Sequence, residues 1–139
     1  MKDDDAIIER EVLIAEVPEV VFGFHVDPLL MMRWIGLSHT LEPRPGGVFR
    51  VEISRGNVAC GLYTEVTPPR RVAFTWGWES QAPSLAALPP GASLVEIELE
   101  SRSGGTLLSL RHSRLPRAVS QIHGDRWLVH LGRLAAVLS

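Results

Sequence analysis

The chain has 139 residues, of which 45% are hydrophobic, and a formal net charge of −2. This length predicts one domain with enough apolar material for a core, and the near-neutral charge predicts no general attraction to nucleic acid or to an anionic membrane. Cys60 is the single cysteine, which excludes an internal disulfide and fits a reducing compartment, so we expect a cytoplasmic protein.

The N-terminal third predicts one strand followed by two short helices. Residues 1–5 are acidic and predict a disordered end. No stretch of the chain approaches the roughly 18 apolar residues of a membrane span. Residues 6–16 alternate loosely and predict a strand. Pro18 predicts the first turn of a short helix, and Asp27, which precedes a proline, predicts an N-capped second helix that Gly36 ends.

The middle of the chain predicts five consecutive antiparallel strands separated by turns. These strands cover residues 48–54, 58–66, 72–78, 94–102 and 106–113. In most of them apolar side chains alternate with polar ones, so one face of the sheet should be wet and the other covered. Residues 81–92 are rich in Pro and Ala and predict a loop.

The C-terminal part predicts a corner at Leu115-Pro116 and then a long amphipathic helix, the only element large enough to cover the sheet. One face of this helix carries apolar residues at helical spacing, namely Trp127, Leu131, Leu134 and Leu138. His112 shares its strand face with two leucines, and His123 and His130 flank the helical stripe. Polar groups inside an apolar enclosure are typical of a small-molecule pocket.

These elements and several motifs resemble the activator-of-Hsp90-ATPase-homologue family of the START-related, Bet v 1-like (SRPBCC) superfamily. The motifs are Trp34, Pro45-Gly46-Gly47-Val48-Phe49, Gly61 with Tyr63, Glu65 through Trp76, Leu108 through His112 before Leu115-Pro116, and Trp127 with the leucines that follow it. The resemblance extends from Ile7 onward. Arg126 is a departure, because the family often has glycine directly before the helical tryptophan.

The resemblance implies an α+β helix-grip fold over residues 6–139 as a single domain. In this fold a curved antiparallel sheet of about six strands wraps around a long C-terminal helix, and two short helices follow strand 1. Many members of the superfamily hold a hydrophobic ligand between sheet and helix, and some, such as polyketide aromatase/cyclases, use that cavity as an active site. The candidates that we expect to line it are Trp34, Phe49, Val51, Tyr63, Phe74, Trp76, Trp78, Ile97, Leu110, His112, His123, Trp127, His130 and Leu131.

The histidines leave two interpretations open. His112 either orients a ligand or acts as a general base, or it is a core histidine bonded to a neighbour. His123 and His130 lie seven residues apart without a suitably spaced carboxylate, so we expect no metal. The chain contains neither a Gly-x-Ser-x-Gly nucleophile motif nor a glycine-rich phosphate loop. We therefore predict no catalytic residue and no cofactor.

Three functions remain as hypotheses. The first is a binder of a small apolar or aromatic molecule, with no reaction assigned. The second is a cyclase- or hydrolase-type enzyme that uses a pocket histidine. The third is a co-chaperone-like or stress-response interaction module. We expect neither a nucleic acid nor a membrane as partner, and a homodimer is left open.

Overall fold

The computed structural model describes residues 5–139. In chain order its elements are β1 (Asp5–Ile14), α1 (Pro18–Gly23), α2 (Pro28–Met31), β2 (Ser38–Leu41), β3 (Val48–Ser54), β4 (Asn57–Thr67), β5 (Arg71–Glu79), α3 (Pro83–Ala86), β6 (Ser93–Arg102), β7 (Gly105–Pro116) and α4 (Arg117–Val137). Asp5 begins β1, and the remainder of the predicted disordered end lies outside the described residues.

All strands join one antiparallel sheet in the order β1-β7-β6-β5-β4-β3-β2. The predicted helix-grip fold is confirmed, with seven strands where about six were expected. The additional strand is β2, which pairs with β3 from Ser38 opposite Glu52 to Leu41 opposite Phe49. Its four residues are too few for an alternating pattern to stand out in the sequence.

The two short helices follow β1 as predicted. The Asp27 carboxylate accepts a hydrogen bond of 2.9 Å from the backbone N–H of Leu29 and so caps α2. The regular helix ends at Met31, earlier than expected, and single turns continue to Ile35. Gly36 follows with φ +86°, a left-handed conformation that favours glycine.

Helix α4 covers the inner face of the sheet and packs most closely along β1. The residues that it turns inward are buried, namely Val119, His123, Gly124, Trp127, His130, Leu131 and Leu134. The apolar ones among them belong to the same core cluster as Leu108 and Leu110 of β7. The outer face is charged, as predicted: Arg71 makes ion pairs with Glu65 and Glu98 there.

The predicted loop at residues 81–92 contains the short helix α3 and folds back against β5. The Trp78 backbone N–H donates to the Leu88 carbonyl oxygen at 2.8 Å, and the Leu88 side chain is buried. A Cβ atom at Gly77 would lie 1.7 Å from the Pro89 oxygen, so only glycine permits this approach. The loop therefore forms a wall beside the end of β5.

Candidate functional site

A cavity of about 300 Å³ lies between the end of β5, one face of α4 and the loop that carries α3. The residues that line it are Ile53, Ser54, Trp76, Trp78, Leu85, Ile122, His123, Arg126, Trp127 and His130. Its walls are predominantly apolar, with three indole rings. Arg126 and Ile122 are exposed and place its mouth along α4.

Two periodic patterns and one tertiary contact assemble this lining. Alternation along β5 brings Trp76 and Trp78 to the inner face of the sheet. Helical spacing brings the lining residues of α4 to one side of that helix. Leu85 arrives from α3 only because the loop folds back on β5. Trp76 packs against both neighbouring indoles, with ring centroids 5.4 Å from Trp78 and 5.2 Å from Trp127.

His123 lines the cavity, but both of its ring nitrogens have partners. Nδ1 lies 2.7 Å from the Val119 carbonyl oxygen, which can only accept, so Nδ1 carries the proton. Nε2 accepts a hydrogen bond of 3.0 Å from the Trp78 indole N–H. Burial lowers the pKa of His123, and the neutral ring is the form that this pair of bonds requires.

His112 lies behind the cavity wall in a fully bonded network. The Trp127 indole N–H donates to His112 Nδ1 at 3.0 Å, so the neutral ring has its proton on Nε2. Nε2 lies 2.7 Å from the Ser93 hydroxyl, which in turn donates to the Trp76 carbonyl oxygen at 2.7 Å. Burial, together with the nearby His123, lowers the pKa of His112 to about 3. Ser93, His112, Trp127 and the Trp76 carbonyl group form the His112 network.

Two polar atoms of the cavity residues have no partner among the described residues. They are the indole Nε1 of Trp76 and the Nδ1 of His130, both buried. Trp76 is 3% exposed and His130 is 4% exposed. Burial, and then the positive charges of Arg126 and Arg133, lowers the pKa of His130 to about 4. A buried polar group without a partner is costly, and a ligand that pairs with it would remove that cost.

The structure places the sequence-predicted candidates in two groups. Trp76, Trp78, His123, Trp127 and His130 line the cavity. The others are buried away from its lining, namely Trp34, Phe49, Val51, Tyr63, Phe74, Ile97, Leu110, His112 and Leu131.

The aromatic candidates away from the cavity have structural roles in the core. Phe49 stacks on Phe74 with ring centroids 3.9 Å apart and so fills the core. Tyr63 Oη donates to the His25 carbonyl oxygen at 3.2 Å, and the Trp34 N–H donates to a carbonyl oxygen of the α1–α2 turn at 2.8 Å. These side chains tie the two short helices to the rest of the core.

Sequence reasoning missed Ile53, Ser54, Leu85, Ile122 and Arg126. A signal existed for Arg126 and Ile122, because steps of four residues connect Ile122, Arg126 and His130 along α4. Leu85 gave no such signal, because its position depends on how a loop folds.

The arrangement suits binding better than proton transfer. General acid–base chemistry needs an imidazole with a free nitrogen and a second polar group at the same reacting atom. His112 and His123 have neither nitrogen free, which leaves His130 among the histidines near the cavity. Across residues 5–139, no group of three or more His, Cys, Asp or Glu side chains is placed to hold a metal ion.

The fold and the cavity together define a helix-grip protein, in which sheet and helix enclose a small interior space. A family model described as Activator of Hsp90 ATPase homolog 1-like protein matches residues 16–139. The chain belongs to this family, as the resemblance in its sequence predicted.

One solved structure supports the same assignment, and two others share the fold. An AHSA1-like protein from Rhizobium etli is 39% identical, with a TM-score of 0.75 over 96% of this chain and 82% of that one. A protein from Mesorhizobium loti is 20% identical, with a TM-score of 0.82 over 96% of both chains. The Aha1 dimer from Colwellia psychrerythraea, a solution structure, is 17% identical, with a TM-score of 0.78 over 96% of both chains. A comparison with curated proteins gave no significant match.

Among the described residues, no helix combines the length and the apolar character needed to cross a membrane.

Proposed function

We propose that this protein is a cytoplasmic binder of a small apolar or aromatic molecule, held in the cavity between the sheet and α4. One observation carries the proposal: an open, indole-walled cavity in which two buried ring nitrogens lack partners within residues 5–139. Ligand sites are typically apolar concavities with a few placed polar groups, and about 300 Å³ lies at the lower end of their volumes. This size favours a molecule of one or two rings.

Burial of apolar surface would supply most of the binding free energy, because the walls offer mainly indole and aliphatic surface. A flat ligand can stack on an indole or meet its edge, which adds to the burial energy. The His112 network holds the inner side of this wall. Trp127 is fixed there by its bond to His112 and needs little reorganisation when a ligand enters.

The test combines native mass spectrometry of protein purified from its host with a thermal-shift screen of aromatic compounds. Ile122→Trp would fill the mouth of the cavity, whereas Leu128→Trp adds the same bulk at an exposed site of α4 that does not line it. We expect the wild-type protein and Leu128→Trp to retain a molecule or to show a raised Tm with a compound. Ile122→Trp should show neither effect. If no compound shifts the wild-type protein, or if both variants respond alike, the proposal is wrong.

The two alternatives have less support. An enzyme of the cyclase or hydrolase type would have to use His130, because both ring nitrogens of His112 and of His123 already have partners. An interaction module would fit the family name, but the outer sheet face that it could use is charged. Turnover of a bound compound that His130→Gln abolishes would favour the enzyme.

The homodimer belongs to this proposal as well. Its support is the Colwellia Aha1 relative, which is a dimer in solution. Light scattering coupled to gel filtration would test it, and a monomer mass at the protein concentration of the binding assays would contradict it.

A further inference from the structure

The polar groups of the cavity are mainly hydrogen-bond donors. The Trp76 indole N–H can only donate, and the guanidinium of Arg126 can only donate. His130 carries an unpartnered nitrogen that can donate, and Ser54 adds a hydroxyl. None of the described residues that line the cavity is acidic. A ligand that complements this set must present acceptors.

Arg126 has no carboxylate within ion-pair distance among the described residues. By contrast, Arg50 pairs with Glu79 at 2.8 Å and Arg71 pairs with Glu65 at 2.8 Å. Arg126 nevertheless stands at the mouth of an apolar cavity, one helical turn before His130, and its charge reaches the His130 ring. Its free guanidinium is therefore placed to meet an anionic group of a ligand whose body lies inside.

We propose, on the basis of the binding function proposed above, that the ligand is an aromatic monocarboxylate of one or two rings. Its ring lies among Trp76, Trp78 and Trp127, and its carboxylate meets the guanidinium of Arg126 at the mouth. Arginine and carboxylate form paired, charge-assisted hydrogen bonds, which are stronger than bonds between neutral groups. The unpartnered nitrogens of Trp76, on the sheet side, and of His130, on the helix side, belong to the same lining and offer further donors to the acceptor oxygens.

A single negative charge fits this cavity better than a phosphate or a dicarboxylate. Among the described residues that line it, Arg126 supplies one guanidinium and the others are apolar or neutral, since burial holds both His123 and His130 in their uncharged forms. A second charge would lose its hydration without gaining a partner, at a cost that apolar contacts do not offset.

The experiment compares matched pairs of compounds by isothermal titration calorimetry. The probes are 2-naphthoate and indole-3-acetate, each measured beside its neutral primary amide. Acid and amide have nearly the same shape, so a difference in Kd reports the charge. We expect the acid to bind the wild-type protein about tenfold or more tightly than the amide, as bonds to charged groups would give.

Arg126→Gln should remove that preference while leaving the affinity for the amide nearly unchanged. Arg133→Gln is the matched control, because Arg133 is exposed on the same helix and also acts on His130 but does not line the cavity. It should keep the preference. Both variants change exposed residues, and an unchanged Tm would show that they fold.

The outcomes separate the two proposals. Equal binding of acid and amide in the wild-type protein would overturn the carboxylate proposal and leave the binding function standing. If Arg133→Gln also loses the preference, the preference comes from the overall positive charge of the helix and not from contact with Arg126. That result would overturn the carboxylate proposal as well. If neither compound of either pair binds, the carboxylate proposal is overturned, and a thermal-shift screen in which other aromatic compounds bind would still support the broader function.

Discussion

The His112 network and the cavity lie on two sides of the same tryptophans but differ in how their polar atoms are satisfied. In the network, both nitrogens of His112, the Ser93 hydroxyl and the Trp127 N–H all have partners. In the cavity, His130 Nδ1 and Trp76 Nε1 have none in the part of the chain that the structure describes. Burial lowers the pKa of His112 and of His130 alike. A lowered pKa therefore marks burial alone, whereas an unpartnered buried atom beside an open cavity marks a place where a ligand would be favourable.

The largest expected effect comes from breaking the satisfied side. His112→Phe keeps an aromatic ring but leaves the Trp127 N–H without an acceptor. It also removes the bond that the Ser93 hydroxyl accepts, although that hydroxyl still donates to the Trp76 carbonyl oxygen. One orphaned buried donor, one further lost buried bond and the larger ring should together lower the free energy of unfolding by about 2–5 kcal/mol. Urea denaturation at neutral pH measures this. His39→Phe, at a half-buried site, is the control and should cost less. An unchanged free energy of unfolding in His112→Phe would show that the network does not stabilise the fold.

Acid should lower the free energy of unfolding, because buried neutral histidines lie in the network, in the cavity and beside Trp34. The folded-state pKa is about 4 for His25, about 3 for His112 and about 4 for His130, each below the unfolded value of 6.5. The unfolded chain therefore takes up protons first as the pH falls below about 6.5, and stability falls with it. At pH 5.5, relative to pH 8, each histidine should cost about 1.4 kcal/mol, or about 4 kcal/mol for the three.

Urea denaturation between pH 8 and pH 5.5 checks this dependence. The free energy of unfolding should be nearly constant above about pH 6.5. Below that pH it should fall progressively, until the pH reaches the folded-state pKa values. A flat stability profile across pH 6.5 to 5.5 would mean that these rings are hydrated in the folded state.

Removal of the middle member of the network should have a smaller effect. Ser93→Ala deletes the hydroxyl that links His112 Nε2 to the Trp76 carbonyl oxygen. We expect a loss of about 1–2 kcal/mol, because one buried donor and one acceptor lose their bonds. Ser120→Ala, which removes an exposed bond to the Arg117 carbonyl oxygen, should change stability by less than about 0.5 kcal/mol. Thermal unfolding of both variants would sharpen the contrast.

The smallest expected effect lies on the unsatisfied side. His130→Phe removes an unpartnered nitrogen and orphans nothing in the described structure, so stability at pH 8 should change by less than about 0.5 kcal/mol. At pH 5.5 the variant should gain about 1.4 kcal/mol relative to the wild-type protein, because one buried neutral histidine is gone. A loss comparable to that of His112→Phe would erase the difference between the two sides.

The fold could be predicted from the sequence because its signals are local. The alternation of Val48–Ser54 defines β3 at its observed bounds, and the steps from Trp127 to Leu134 define the buried face of α4. β2 could not be seen in the same way, because its pairing with β3, more than its own pattern, makes it a strand.

The cavity could be predicted only in part. Trp76 and Phe49 carry equal signals in the sequence, yet Trp76 lines the cavity and Phe49 stacks on Phe74 in the core. Which aromatic ring fills space and which borders it depends on packing between distant segments. Leu85 shows the same limit, since the return of its loop depends on the close approach at Gly77. The position of Arg126 could be predicted, because helical spacing places this charged residue on the same side of α4 as His130.

The placement of the tryptophans has an optical consequence. Of the four in the chain, Trp76, Trp78 and Trp127 border the cavity, while Trp34 packs beside His25 next to the two short helices. A molecule that enters the cavity should alter the fluorescence of the first three and leave that of Trp34 unchanged. The protein thus carries both a reporter and an internal reference, and Trp34→Phe would isolate the reporter without a label.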